Sequence, residues 1–211
     1  MPFDLQPILR GKLLGLRPLQ PEDFHDLYVV ASDPLIWEQH PSKDRYQEEV
    51  FKEFFRDAME SGGALIALDS KDNQVIWSSR FYGYDKEKSE IEIGWTFLAR
   101  SHWGGIYNRE MKQLMLRHAF QFVNSVIFLV GPQNLRSQRA MEKIGGPQTA
   151  FEEIWNDDQA AEGSWGISGA AGDETPKHQR LSDGGLRSLL SLKLQDELPT
   201  TTVYGPFTTI T

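Results

Sequence analysis

The sequence predicts an α/β protein built on one mixed, mainly antiparallel sheet flanked by helices. Two observations predict it. Apolar runs of strand character are interleaved with segments of helical periodicity, and three of the strand-like runs follow one another directly, separated only by short polar turns.

The elements follow in order. Gly11 to Leu19, with Leu14 and Leu16 alternating before Pro18, reads as a first strand. Gln20-Pro21-Glu22-Asp23 opens a helix, because proline and acids suit a first turn. From Tyr46 to Ser61 the residues Val50, Phe51, Phe54, Phe55, Ala58 and Met59 share one helical face, and Gly62-Gly63 ends the segment. Ala64 to Leu68, Val75 to Tyr84 and Glu90 to Leu98 form an antiparallel meander across the turns at Ser70-Lys71-Asp72-Asn73 and Asp85-Lys86-Glu87-Lys88. Tyr107 to Val123 is helical, Val126 to Val130 is a wholly apolar buried strand, and Leu135 to Ile144 is a last helix stopped by Gly145-Gly146.

The 211 residues, 39% hydrophobic and 25% charged, supply one fair-sized core. Residues 1–155 are expected to form the domain. Residues 156–211, rich in Gly, Ser, Thr, Asp and Glu, are expected to be an irregular and partly disordered tail. With 22 Lys plus Arg against 30 Asp plus Glu, the net charge of −8 argues against a nucleic-acid binder and mildly favours cationic partners. There is no cysteine, which excludes thiolate catalysis and cysteine-ligated zinc, and no metal site is expected. Met1-Pro2-Phe3-Asp4 lacks the basic, then apolar, start of a signal peptide, and no run reaches membrane-span length, so a cytoplasmic protein without a membrane partner is expected.

One segment carries chemistry. Ile93-Gly94-Trp95-Thr96-Phe97-Leu98-Ala99-Arg100-Ser101-His102-Trp103-Gly104-Gly105-Ile106-Tyr107-Asn108 joins a strand to a helix through two glycines. Free N–H groups and the positive dipole end at a helix start bind pyrophosphate, and glycine lets phosphate approach the main chain. Arg100 and His102 add charge at the rim. Two glycines making an ordinary turn is an equal alternative on these residues alone. No Gly-x-x-x-x-Gly-Lys-Ser/Thr, Gly-x-Gly-x-x-Gly or His-Glu-x-x-His occurs.

Ile93-Gly94-Trp95, then Trp103-Gly104-Gly105-Ile106-Tyr107-Asn108-Arg109-Glu110, then Asn134-Leu135-Arg136-Ser137-Gln138-Arg139-Ala140-Met141-Glu142-Lys143-Ile144-Gly145 resemble the GNAT superfamily of N-acetyltransferases. The likeness is to the branch related to ribosomal-protein alanine acetyltransferases, and it covers roughly residues 10–150. It implies splayed central strands and acetyl-CoA as co-substrate. The pantetheine arm would lie along Trp95 to Leu98 beside the Val126 strand, and the pyrophosphate on amides of Trp103 to Asn108. The Phe97 and Leu98 amides would polarise the thioester, and Asn134 would bond the cofactor, cap its helix, or do both. The acceptor would be a primary amine of a small molecule or a protein N-terminus, and dimers are common in the family.

Two positions depart from the family pattern. Ile106 stands where the phosphate loop usually has its last glycine, and a β-branched residue disfavours positive φ, unless the loop there keeps ordinary angles. Met141 stands where many relatives carry a tyrosine that protonates the leaving thiolate, and methionine has no proton to give. Both encourage an alternative, a non-catalytic acyl-CoA-binding or protein-interaction module on the same fold.

Attack on a thioester requires a neutral amine and therefore a base. Glu90 and Glu92 share one strand face, with Ile91, Ile93 and Trp95 on the other, and Glu92 is the expected base. Solvated strand-face carboxylates are the competing reading for both. Ser137, one turn into its helix, is a candidate to face the sulfur. His118 lies on an apolar stripe and reads as a core residue, and Phe51, Phe54 and Phe55 read as core with a chance of lining the acceptor pocket, as do Trp37 and Tyr82.

Overall fold

A short hairpin, β1 (Leu9–Arg10) and β2 (Leu14–Pro18), opens the sheet, and the sequence patterning does not announce its first strand. A 3-10 turn at Pro21–Asp23 leads into α1 (Phe24–Ala31), and Arg17 clamps the turn by two 2.7 Å bonds to Asp23. A four-residue α2 (Pro34–Trp37), capped by Asp33, precedes α3 (Glu48–Glu60). The meander follows as β3 (Ala64–Asp69), β4 (Val75–Asp85) and β5 (Glu90–Leu98), then α4 (Ile106–Ala119), β6 (Ser125–Val130) and α5 (Leu135–Gly145). This computed structural model describes residues 2–131 and 133–145 and, as backbone, the strands β7 (Phe151–Ile154) and β8 (Leu189–Gln195).

The strands form one sheet in the order β1-β2-β3-β4-β5-β6-β8-β7, parallel only between β5 and β6 and antiparallel elsewhere. The mixed, mainly antiparallel sheet flanked by helices is thus present, and α4 supplies the crossover that a parallel pair requires. The expectation of an irregular tail over residues 156–211 lies outside the described residues except at Leu189–Gln195, which is instead a regular strand whose residues Leu190 to Gln195 pair with β6. Among the described residues no helix is long and apolar enough to cross a membrane.

Each sheet face has its own core. On one, Leu14, Leu16, Trp77, Phe81, Ile91, Ile93, Val126 and Phe128 meet Met111, Met115 and Ala119 of α4 and Met141 of α5. On the other, Ala64, Ile66 and Phe97 meet Leu27, Ala31, Trp37 and the Phe51, Phe54, Phe55, Ala58 face of α3, the stripe read from the sequence. Burying each of these large side chains contributes about 1.5–3 kcal/mol. His118 is a core residue, its Nε2 2.7 Å from the Asp4 carbonyl and its ring among Phe3, Phe81 and Phe122.

Glu110 ties α4 to the hairpin. Its carboxylate accepts the N–H groups of Lys12, Leu13 and Leu14 at 2.9, 2.7 and 3.1 Å, and a Cβ on Gly11 would stand 2.7 Å from that carboxylate. Charge-assisted bonds to backbone are among the stronger ones. Glu110→Ala is therefore expected to lower unfolding stability by about 2–3 kcal/mol in denaturant titration; a change within error would mean that water replaces the carboxylate without loss.

Candidate active site

The site begins where β5 leaves β6. Their pairing consists of Glu90↔Ser125, Ile91↔Val126 and Glu92↔Ile127, after which β5 continues against β4 alone. Gly94 stands opposite Arg80 and Phe97 opposite Ser78, so two residues of β5 face one of β4 in a bulge, and Trp95 there has φ 50°. A bulge bends the strand and exposes main-chain groups at a cleft. Gaps of this kind accept an extended ligand arm between strand edges. Ala99 donates its N–H to the Ile76 carbonyl at 2.9 Å, so strand alternation turns the Leu98 N–H, not its neighbours', to the open edge.

The bulge also changes faces. Simple alternation groups Trp95 with Ile91 and Ile93; instead its ring lies 5.2 Å from Tyr82 and 4.6 Å from the Arg80 guanidinium, on the Glu92 side. One extra residue inverts the facing of everything beyond it. Thr96 turns to the other face, where the Lys112 ammonium donates to it at 3.1 Å and lies 4.7 Å from the Phe128 ring. Burial alone pushes Lys112 down to about 7.

Glu92 sits against Gly94, where a Cβ would meet Oε1 at 2.8 Å. Burial pushes its carboxyl up to about 7, opposed only in part by the Arg80 charge. A carboxyl poised there exchanges protons readily near neutrality. Glu90 is 9% exposed, so it is not a solvated carboxylate.

The loop after β5 is held by side chains. Trp103 donates its indole N–H to the Leu98 carbonyl at 2.9 Å, and the Arg136 guanidinium stacks on the Trp103 ring at 4.0 Å. Arg100 pairs with Asp33, and His102 Nε2 lies 3.3 Å from Asp69, which also accepts from the Tyr107 hydroxyl at 2.9 Å. Arg100 and His102 therefore both already face carboxylates. Asp69 is held below the usual carboxylate range first by the Lys71 N–H and then by Tyr107 and His102.

Positive φ falls at Gly104, at 70°, while Gly105 caps α4 at φ −110° without a side-chain bond. Ile106 begins the helix proper with its side chain 64% exposed. The missing third glycine thus imposes no strain, since the left-handed position lies two residues earlier. The first-turn N–H groups of Ile106, Tyr107 and Asn108 have no intrahelical acceptor.

At the start of α5, Asn134 Oδ1 accepts the Ser137 N–H at 3.1 Å, so Asn134 caps the helix. Ser137 is in that first turn. Met141 is buried, 4% exposed, in the core against α4. Arg136 binds the Ile36 carbonyl at 2.7 Å and anchors α5 to α2.

The sequence reading missed Arg80, Arg45, Asp69 and Lys112. Arg80 had a signal, a lone cation inside an apolar strand. Arg45 and Lys112 had none, because charged residues in a loop and on a helix are ordinarily solvated. Among the described residues no group of three or more His, Asp or Glu side chains is placed to hold a metal.

Residues 14–146 match the family model described as "Acetyltransferase (GNAT) domain". Solved structures similar to this chain include a GCN5-related N-acetyltransferase from Brucella melitensis, 17% identical over 92% of this chain and 81% of that one, TM-score 0.71. A GNAT-family acetyltransferase from Bacillus anthracis is 17% identical over 91% and 100%, TM-score 0.65. A spermidine N-acetyltransferase from Vibrio cholerae, in complex with CoA and spermine, is 12% identical over 88% and 96%, TM-score 0.56. No curated protein sequence matches the chain significantly.

Proposed function

The chain belongs to the acetyltransferase (GNAT) domain family and is an N-acetyltransferase that takes its acetyl group from acetyl-CoA, and we propose that Glu92 is the base that prepares a primary amine of a small molecule or protein N-terminus for direct attack in a ternary complex. The observation that carries this is the conjunction, at one bulge, of the β5–β6 gap, the Leu98 N–H and a half-buried Glu92 pushed up to about 7. Residues 1–155, joined in the sheet by β8 (Leu189–Gln195), are the catalytic domain on this reading, acting in the cytoplasm, with a homodimer as the assembly to test.

The chain's own groups divide the work. The N–H groups of Gly104, Gly105, Ile106, Tyr107 and Asn108 hold the pyrophosphate, with Arg100, His102 and Trp103 shaping the loop around them. The Trp95 to Leu98 backbone lines the pantetheine slot, and the Leu98 amide, beside Phe97, polarises the thioester carbonyl. Asn134 and Ser137 close the slot from α5. Acetyl-CoA supplies an acetyl thioester whose C–S bond breaks as the acceptor C–N bond forms. Glu92 takes a proton from the acceptor ammonium, and the thiolate leaves without help from Met141, which is tolerable for a group whose thiol pKa is about 8.5.

Calorimetric titration with acetyl-CoA, followed by thiol-release assays over an amine panel, tests the reading. Binding and thiol release with at least one primary amine are expected. Binding with no thiol release on any amine would overturn the proposed mechanism. Gly104→Val, which forces a β-branched residue to φ 70° where an added Cβ meets nothing within 4 Å, is expected to weaken acetyl-CoA binding at least ~10-fold at a folding cost of about 1–3 kcal/mol. Unchanged affinity would move the pyrophosphate off this loop.

A further inference from the structure

Two buried guanidiniums lie on the Glu92 side of the sheet, and among the described residues no acceptor satisfies them. Arg80, opposite Gly94 at the bulge, is 4% exposed; its Nη1 reaches the Asp57 carbonyl only at 3.4 Å, and its Nη2 is buried without a hydrogen-bond partner. Arg45, in the loop before α3, is 7% exposed, and among the described residues the side-chain polar atom within hydrogen-bond distance of it is His40 Nε2 at 3.3 Å. That contact is not a bond to an acceptor. His40 Nδ1 accepts the Ser42 N–H at 3.0 Å, and burial, reinforced by Arg45, pushes the imidazole down to about 3 and keeps it neutral. A neutral imidazole with Nδ1 accepting carries its proton on Nε2, so that nitrogen has no lone pair for Arg45.

The two cations share one aromatic wall. The Arg45 and Arg80 guanidinium carbons lie 4.7 and 5.5 Å from the Phe54 ring, with Trp37 5.6 Å from Arg45 and Trp95 4.6 Å from Arg80. Ring faces attract cations but accept none of their planar hydrogen bonds. No carboxylate oxygen of a described residue stands within 4.0 Å of either guanidinium. Arg80 is pushed down to about 10 by burial first and by Arg45 second, against the weaker pull of Asp57 and Glu92, and burial pushes Arg45 down to about 10 against Asp44 and Asp57. Buried like charges without a hydrogen-bonded anion oppose folding, and Asp44, Asp57 and Glu92, which titrates near 7, act on the two arginines through space without bonding to them. The pair is explained by a ligand that brings the anion with it.

We propose that the acceptor amine carries a carboxylate, and that Arg80 and Arg45 hold this carboxylate against Trp37, Phe54 and Trp95 while the amine reaches Glu92 at the bulge. The inference rests on the acetyl-transfer reading and names the substrate class for it. Two planar guanidiniums flanked by aromatic rings match a planar carboxylate. The carboxylate is bound and chemically unchanged. The acidic balance of the whole chain pointed the other way, to a cationic acceptor, because net charge says nothing about two cations buried at one place.

The test uses matched pairs on the full chain. Kinetic constants are measured with α-, β- and γ-amino acids and with their amides, with N-terminal peptides bearing Asp or Asn second, with an aminoalkylphosphonate and with spermidine, at a pH above the Glu92 limb. At least one free acid is expected to exceed its amide at least ~30-fold in kcat/KM, chiefly through KM, and the ratio is expected to fall below about 3 in Arg80→Gln and Arg45→Gln with acetyl-CoA affinity retained. Preference for the small amino acids or for the acidic peptide identifies which source carries the carboxylate. Arg80→Met, which removes an unpaired buried charge, is expected to raise the unfolding midpoint while abolishing the preference, a combination that a structural role does not produce. Equal rates for acids and amides, or preference for spermidine or the phosphonate, overturns the proposal and leaves acetyl transfer standing. Calorimetry with the N-acetylated acids and amides covers the case of no turnover: tighter binding of the acids supports the anion site, and equal binding overturns it.

Discussion

Glu92→Gln is expected to lower turnover by roughly 100-fold or more while leaving the dissociation constant for acetyl-CoA within a factor of about 2. The amide keeps the shape of the side chain and its packing on Gly94 but removes the lone pair that takes the proton. In the native chain kcat/KM is expected to rise with pH through a limb near 7, since burial holds the carboxyl protonated below that value and only the ionised form is a base. The variant loses this limb. A native-like rate or an unchanged limb in the variant would remove Glu92 from the mechanism.

The same burial has a stability consequence of definite sign. A carboxyl raised in the folded chain favours the protonated native state, so its contribution is complete in acid and is lost as pH rises through about 7. Glutamine cannot ionise, so Glu92→Gln should be indistinguishable from the native chain in acid and more stable above neutrality. The limit is about 3 kcal/mol, read from denaturation midpoints on both sides of the limb.

Gly63→Ala is expected to be the most damaging single substitution in the scaffold, costing at least about 4 kcal/mol and leaving little folded protein. A Cβ at Gly63 would stand 2.0 Å from the Phe81 carbonyl oxygen, and this atom is main chain in the middle of β4, with no rotamer that could move it away. Phe81 itself is completely buried and donates its N–H to the Gly63 carbonyl at 3.0 Å. Gly62→Ala, where φ is 63° and a Cβ meets nothing within 4 Å, should cost only about 1–2 kcal/mol. Equal effects at the two glycines would show that conformational freedom, and not close approach, is what Gly63 provides.

These adjacent glycines show how far the sequence could be read. Gly62-Gly63 marked a helix end, and α3 does end at Glu60; that one of the pair is a contact with β4 is invisible without β4 beside it. The helix from Tyr107 was expected to reach Val123 but ends at Ala119, because the residues after it tighten into a turn, Phe122 N–H to the Ala119 carbonyl at 2.9 Å. The Glu90–Leu98 strand was legible from its apolar content, whereas its bulge, which carries Trp95 to the Glu92 side, followed no local signal.

The sequence by itself determined the order of the elements, the apolar faces of α3 and α4, the glycine-opened helix start and the pairing of Glu92 with one face of its strand. Periodicity and chain-local chemistry are written in neighbouring residues, and these features depend on nothing else. Only the tertiary structure decided which face the residues after the bulge present, that Glu110 holds a hairpin 96 to 98 residues away, and that Arg45 and Arg80 share one ring. Each of these is a contact between segments distant in sequence. Burial then sets the charge behaviour of Glu92, Lys112 and the two arginines through desolvation, a property of the surrounding volume and not of the chain on either side.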